Sequence, residues 1–389
     1  MTYKNEQSNI SKVIKTVRNN KRISRAEISR ITRLSKPTVS SIIRRLINAN
    51  VIVEVGKHRN KKIGKNPVLL TFNPFYKLVL SLDIGGTNFR IALLDLDGNI
   101  LDKKIYSSSS IKDETTFLNM IKKAVTEILN ESSVEFEDIL GIGIGIPGTV
   151  DARGVVRYIP AFNISDFDLK TELKKFLEIE ELIIENDVTL QTVGEMWKGA
   201  AKGSKNVFCI SIGTGIGGGF VINGNIYSGS HGMAGEIGYS VTDYSVDKNR
   251  EIKDFGALEI WASGNTFEKL SKKLKTSVKE IFQRYRENDE KIKEMVNDAM
   301  EHVGAAIANV ISLIDPEMVI FAGGIGTNQF ETIIDTILRV IKKFVPKEIV
   351  SEIDFKKAVL GDDGVLIGGC YEVQRNFLLK DLDNLKTKL

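Results

Sequence analysis

Cysteine is nearly missing from this 389-residue chain: Cys209 and Cys370 are the only two, far apart and each inside an apolar or glycine-rich run. That excludes a disulfide framework and a C-x-x-C metal site, and makes a reducing cytoplasm the expected compartment. No stretch approaches about 18 consecutive apolar residues, and Met1 to Ser11 holds no apolar signal core, so neither membrane insertion nor secretion is expected. Acids are scarce in one place above all. The first 67 residues hold only Glu6, Glu27 and Glu54 against 17 Lys and Arg, a local charge of +14. The whole chain is +4, which leaves about −10 for the other 322 residues. So cationic a head is built to meet a polyanion, and the body behind it is not. The 42% hydrophobic and 27% charged content is that of a globular protein with two or three domains.

Within the head, Ile10, Val13, Ile14 and Val17 keep the spacing of one buried helix face. Ser24-Arg25-Ala26-Glu27 reads as a capping box opening a second helix to about Ile31. Ser35 then caps a third helix with Pro37 in its first turn. Val39, Ile42, Ile43, Leu46 and Ile47 face inward on it. Lys36, Thr38, Ser40, Ser41, Arg44 and Arg45 form the other face, hydroxyls and cations suited to base edges and phosphates, with Arg25 nearby. Two apolar runs, Val51 to Val55 and Val68 to Phe72, flank a basic tip that carries Lys57, Arg59, Lys61, Lys62 and Lys65. That is a wing able to follow a minor groove or backbone; the bland reading is a solvated charged loop. The order of helices and wing resembles the MarR-like winged helix of many bacterial repressors. A DNA-binding domain over 1–73 is the expectation.

Three glycine turns punctuate the body, each after a buried apolar run. Leu78 to Leu82 leads into Asp83-Ile84-Gly85-Gly86-Thr87-Asn88, and Ile91 to Leu94 follows. Glycines let the backbone approach a phosphate, Thr87 can bond it, and Asp83 can hold a hydrated Mg²⁺ that arrives with ATP. Alone, this loop is no more than a hairpin turn. Val207 to Ile212 leads into Gly213-Thr214-Gly215-Ile216-Gly217-Gly218-Gly219 before a strand Phe220 to Ile222. So many glycines are entropically costly unless the backbone must come close to something. Met318 to Phe321 ends in Ala322-Gly323-Gly324, which can cover an adenine ring.

These loops, with GIGIGIPGTVD (Gly141 to Asp151), END (Glu185 to Asp187) and AGEIG (Ala234 to Gly238), resemble the ROK family (repressor, open reading frame, kinase) from Leu78 onward. The resemblance implies an α/β fold: a winged helix-turn-helix followed by a two-lobed, actin-like and ribonuclease-H-like ATPase body. The first lobe would span 74–186, with a C-terminal helix 368–389 packing back on it, and the second 187–367. Sugar and ATP would lie between them. Asp187 would be the catalytic base, and Asn163, Asn186, Asp187, Glu236, Tyr239 and Glu259 would face the sugar. Gly85, Gly86, Thr87, Asn88, Gly213, Thr214, Gly215, Gly217, Gly323 and Gly324 would line the nucleotide. For Asn186-Asp187 the competing reading is a helix N-cap.

The sequence also departs from the family. Tyr239 stands where a His is common, and Lys253-Asp254-Phe255-Gly256-Ala257-Leu258-Glu259 replaces a cysteine-rich segment, so the family's structural zinc is not expected. His231, in a turn close by, reads as structural. Two functions remain open. One is a sugar-responsive regulator, a repressor of carbohydrate catabolism that binds operator DNA as a homodimer or higher homo-oligomer; the other is an ATP-dependent sugar kinase of glucokinase or N-acetylglucosamine kinase type.

Overall fold

The computed structural model describes residues 2–57, 67–151, 153–177, 179–247 and 256–384. The head opens with α1 (Thr2–Asn19), where Ile10, Val13, Ile14 and Val17 are buried as their spacing predicts. β1 (Ile23–Ser24) leads into α2 (Arg25–Thr32) through the expected capping box: Ser24 Oγ accepts from the Glu27 amide at 3.3 Å, and Glu27 Oε2 from the Ser24 amide at 2.9 Å. Arg33, left-handed at φ 59°, ends α2, and Ser35 caps α3 (Lys36–Asn48) by accepting from the Thr38 amide. Val39, Ile42, Ile43 and Leu46 are buried, whereas Ile47, expected with them, is only half-buried. β2 (Ile52–Lys57) and β3 (Val68–Phe72) pair antiparallel, and β1 takes the other edge of β3. This is a winged helix; its tip, with Arg59, Lys61, Lys62 and Lys65, lies outside the described residues.

The body repeats one plan twice. In the first sheet β4 (Leu78–Ile84), β5 (Asn88–Asp95) and β6 (Ile100–Ser107) run antiparallel, and α4 (Glu114–Ser132) connects to β7 (Ile139–Ile146), parallel to β4. A small sheet of β8 (Thr149–Val150), β9 (Val156–Ile159) and β10 (Ile164–Phe167) and the short α5 (Leu169–Lys174) precede β11 (Leu182–Asn186), parallel to β7. The order is β6-β5-β4-β7-β11. α6 (Asp187–Lys198) then crosses to the second sheet, which starts with antiparallel β12 (Val207–Ile212), β13 (Ile216–Ile222) and β14 (Asn225–Ile226). Helices α7 (Tyr244–Asp247), α8 (Ala257–Ala262), α9 (Gly264–Leu274), α10 (Val278–Arg286) and α11 (Glu290–Ile314) lead to β15 (Met318–Ala322), parallel to β12. After α12 (Gly323–Asn328), α13 (Phe330–Phe344) and α14 (Lys347–Val350), β16 (Asp354–Lys357) pairs parallel with β15. The order β14-β13-β12-β15-β16 matches that of the first sheet strand for strand. The interior strands β7 and β15 are buried along their whole length, as parallel strands covered on both faces must be.

The last helix, α15 (Gly364–Asn384), returns to β4 and β7 of the first sheet, while α6 lies on β12 and β13 of the second. Where the two helices cross, backbone meets backbone. A β-carbon at Gly368 would stand 1.9 Å from the Leu190 carbonyl oxygen, and one at Gly194 would stand 2.2 Å from that of Gly364. The head is docked on this frame, since its core continues through Phe72 into Leu94, Leu96, Leu366, Ile367 and Cys370. The whole is a two-lobed actin-like α/β body behind a winged helix. Among the described residues no helix is long and apolar enough to cross a membrane.

Candidate ligand cleft and nucleic-acid interface

β4, β7 and β11 run parallel, so their carboxyl ends share one edge, where ligands bind in open α/β sheets. Asp83 stands near the end of β4, and Asp187 opens α6 directly after β11. Burial first, and then the Asp83 carboxylate, push the Asp187 carboxyl up to about 7; a 2.8 Å bond from the Val188 amide opposes them. Burial also lifts Asp83, to about 6, although Arg90 Nη1 donates to its Oδ2 at 2.9 Å. Arg90 makes Asp83 the first of the two to ionise, and that charge then holds the proton on Asp187. Glu236, raised by burial, accepts from Thr149 Oγ1 at 3.2 Å, and Glu185, also raised, accepts from Ser228 Oγ at 3.0 Å. A carboxyl that titrates near neutrality can take a proton from a hydroxyl held against it.

Four sugar-facing candidates gather here: Asp187, Glu236, Glu259 and Tyr239. Burial raises the Tyr239 phenol, helped by Glu236, Glu259 and Tyr158. Glu259 has a further duty, accepting from the Ile216 amide at 2.8 Å and the Gly256 amide at 2.9 Å. Asn186 is the N-cap of α6: its Oδ1 accepts from the Thr189 amide at 3.0 Å and its Nδ2 donates to the Gly148 carbonyl at 3.2 Å. Asn163 lies exposed at φ 53° after a short 3₁₀ turn, and His231 is exposed. Thr149 and Tyr158 escaped the sequence reading, although Thr149 lies within the GTVD run and carries the same bond-forming chemistry.

The glycine loops are shorter than their sequence suggests. Gly217, Gly218 and Gly219, expected in a loop before a strand at Phe220, lie inside β13, which begins at Ile216. Their small size serves packing. A β-carbon at Gly217 would stand 3.0 Å from Val188 Cγ2, and one at Gly219 2.3 Å from Thr192 Oγ1, both on α6. The true turn is Gly213-Thr214-Gly215, pinned by the Gly264 amide on the Gly213 carbonyl at 2.7 Å and the Asn265 amide on the Thr214 carbonyl at 3.1 Å. Open space surrounds the β-carbon positions of Gly213 and Gly324. Gly323, at φ 77°, starts α12. In the first turn, Gly86, Thr87 and Asn88 are exposed, and buried Ser108 holds the loop by donating its Oγ to the Gly85 carbonyl at 2.7 Å.

Tyr239 stands at the histidine position, both thiols are buried in the core, and among the described residues no group of three or more His, Cys, Asp or Glu is placed to hold a metal. Lys253, Asp254 and Phe255 lie outside the described residues.

On the head, Lys36, Ser41 and Arg44 are exposed and Thr38, Ser40 and Arg45 half-exposed along the outer face of α3. Arg25 pairs with Glu54 at 3.0 Å, and Lys57 ends β2 at the base of the wing.

Over residues 79–376 the chain matches the ROK family, and over residues 8–53 the winged helix-turn-helix DNA-binding family. It belongs to the ROK family, and its head makes it a DNA-binding, regulator-type member. It is 27% identical to the xylose repressor of Bacillus spizizenii over 94% of both chains. It is 28% identical to the glucokinase of Halalkalibacterium halodurans over 76% of this chain and 94% of that one. Among solved structures, a ROK family transcriptional regulator, a homologue of the E. coli MLC protein, superposes with a TM-score of 0.80 at 24% identity, covering 95% of this chain and 96% of that one. A ROK family glucokinase from Streptomyces griseus, in complex with glucose and AMPPNP, superposes with a TM-score of 0.64 at 24% identity, over 77% and 100%.

Proposed function

We propose that the chain is a sugar-responsive transcriptional repressor of carbohydrate catabolism genes, acting in the cytoplasm as a homodimer. Its α3 reads operator DNA in the major groove, and a monosaccharide between the lobes shifts the head. The observation that carries this reading is the presence, in one docked frame, of a cationic recognition helix and a cluster of carboxyls, buried Asp83 with half-buried Asp187, Glu236 and Glu259. The reading is supported by the match over 94% of both chains to the B. spizizenii protein, a xylose repressor. Asp187, Glu236 and Tyr239 would hold the sugar hydroxyls. Xylose is the first sugar to try.

The test is duplex binding by the full chain, with and without D-xylose, D-glucose or N-acetyl-D-glucosamine, on DNA selected from a random library. The affinity should shift by about tenfold with one of these sugars. Arg44→Ala should weaken binding and lower the salt slope by about one counterion. Duplex affinity indifferent to every sugar would sink the proposal.

A second reading, an ATP-dependent sugar kinase, draws on Asp187, whose carboxyl near neutrality suits a general base. Asp83 would hold the Mg²⁺ of Mg-ATP, whose part is to neutralise phosphate charge. Sugar-dependent ADP release by the full chain, abolished in Asp187→Asn, would favour it; sugar binding without ADP release would exclude it.

A further inference from the structure

We infer that Arg18 is the positioning residue through which the state of the cleft reaches the DNA-binding head, a role that rests on the sugar-responsive reading above. Arg18 lies in the last turn of α1. α1 shares its core, through Val13, Ile14 and Val17, with Val39 and Ile43 of the recognition helix. One nitrogen of Arg18, Nη2, donates to the Leu96 carbonyl at 3.0 Å and to Gln374 Oε1 at 2.6 Å, and the guanidinium lies 4.8 Å from the centre of the Phe72 ring. A single side chain therefore touches β3 of the head, the turn after β5 in the first sheet, and α15. Among the described residues, both hydrogen bonds from α1 to the body come from Arg18.

The guanidinium is half-buried; burial lowers its pKa and the Asp97 carboxylate opposes that, yet both of its hydrogen bonds go to neutral acceptors, which space-filling alone would not require. The apolar contact of Phe72 with Leu94 and Leu96 would dock the head without it. What the guanidinium adds, with Nη2 donating to the Leu96 carbonyl and to Gln374 at once, is a fixed register between three elements. Gln374 is itself held: it is buried, its Nε2 contacts Cys370 Sγ at 3.7 Å, and that sulfur contacts the Asp95 carbonyl at 3.5 Å.

The other end of α15 is tied to the cleft. Asp362, just before the helix, pairs at 2.9 Å with Arg90, the residue that also holds Asp83 at 2.9 Å, and Asp363 pairs with Lys103 at 2.7 Å. Gly364 and Gly368 press on Gly194 and Leu190 of α6, whose first residue is Asp187. From Gly364 to Gln374 the helix spans roughly 15 Å at 1.5 Å per residue. When a ligand between the lobes changes the angle of α15 on the first sheet, Gln374 moves against Leu96. Nη2 cannot keep both bonds, so the head gives up one register for another. That is a two-state element which both sites bias.

The experiment uses the full chain, a duplex selected by the wild type without sugar, and whichever of D-xylose, D-glucose or N-acetyl-D-glucosamine shifts wild-type duplex affinity. Arg18→Met and Gln374→Met each remove one side of the joint at nearly constant volume. Each should leave the sugar Kd and the sugar-free duplex Kd within about threefold of wild type, yet shrink the sugar-induced change in duplex affinity from about tenfold to under about threefold. The double variant should lose no more than the single ones. Should Arg18→Met fail to fold, Gln374→Met decides alone, because it leaves the Leu96 bond in place. Variants that keep the full response overturn the proposal, and so do variants that lose duplex binding without sugar, since Arg18 would then be a prop of the head. A wild type with no sugar response fails the functional reading itself, and Arg18's role with it.

Discussion

Asp187 gives the cleft a pH dependence with a definite sign. Burial and the Asp83 charge hold its carboxyl at about 7, against roughly 3.9 for an unperturbed aspartate. Between those values the folded chain keeps a proton that the unfolded chain has lost. The stabilisation is therefore full below about pH 4 and is lost as pH rises through about 7. Asp187→Asn, which cannot ionise, should be more stable than wild type at pH 8 by on the order of 2 to 4 kcal/mol. Urea denaturation at several pH values should show that gap closing towards pH 4; a constant gap would refute the raised pKa. Asp187 was legible because it sits where an apolar strand run gives way to helical spacing. Glu195 was not. It is fully buried on α6, with its carboxylate accepting from the Ala200, Val359 and Leu360 amides at 2.8, 3.0 and 2.8 Å. In sequence, a glutamate in a helix looks like a solvated one, and two of its donors lie some 165 positions away.

Caps and strand runs could be read from neighbouring residues because the physics that sets them is local: the Ser24 and Ser35 caps and the extents of β4, β12 and β15 follow from a few adjacent side chains. The glycines of β13 could not. For Gly217 and Gly219 the reason is α6, which the chain reaches from a different segment, so a run that looked like phosphate-loop chemistry is partly a packing groove. The same cause acts at the crossing of α6 and α15, and there it can be measured. A methyl group at Gly368 would meet the Leu190 carbonyl, and the two helix backbones would have to part. Gly368→Ala should cost about 1 to 3 kcal/mol as overpacking. Gly324→Ala, with open space around its β-carbon position inside the helical α12, should be neutral or slightly stabilising. Denaturant midpoints for the two variants decide the matter: equal losses would mean that glycine is needed for backbone freedom at both sites rather than for closeness at one.

The charge split located the head, but charge says nothing about docking. Basic residues mark what the outer surface meets, while the contact with the body is apolar and assembled from Phe72, Leu94, Leu96, Leu366 and Leu378, which lie far apart in the sequence. Likewise the twin sheets were not visible as a repeat, because topology recurs without the residues recurring. A head that shares its core with the first lobe should not melt on its own. An independent domain on a linker would give its own calorimetric transition, whereas here the calorimetric trace of the full chain should show no separate transition for the head. A fragment starting at Pro74 would leave Leu94, Leu96 and Leu378 bare. At about 25 cal/mol per Å² of apolar surface returned to water, even a few hundred Å² amounts to several kcal/mol. The fragment should therefore melt several degrees lower than the full chain and bind a hydrophobic dye more strongly. A fragment as stable as the full chain, alongside a distinct head transition, would mean that the two parts touch without cooperating, and a cleft could then move the head only through a joint as narrow as Arg18.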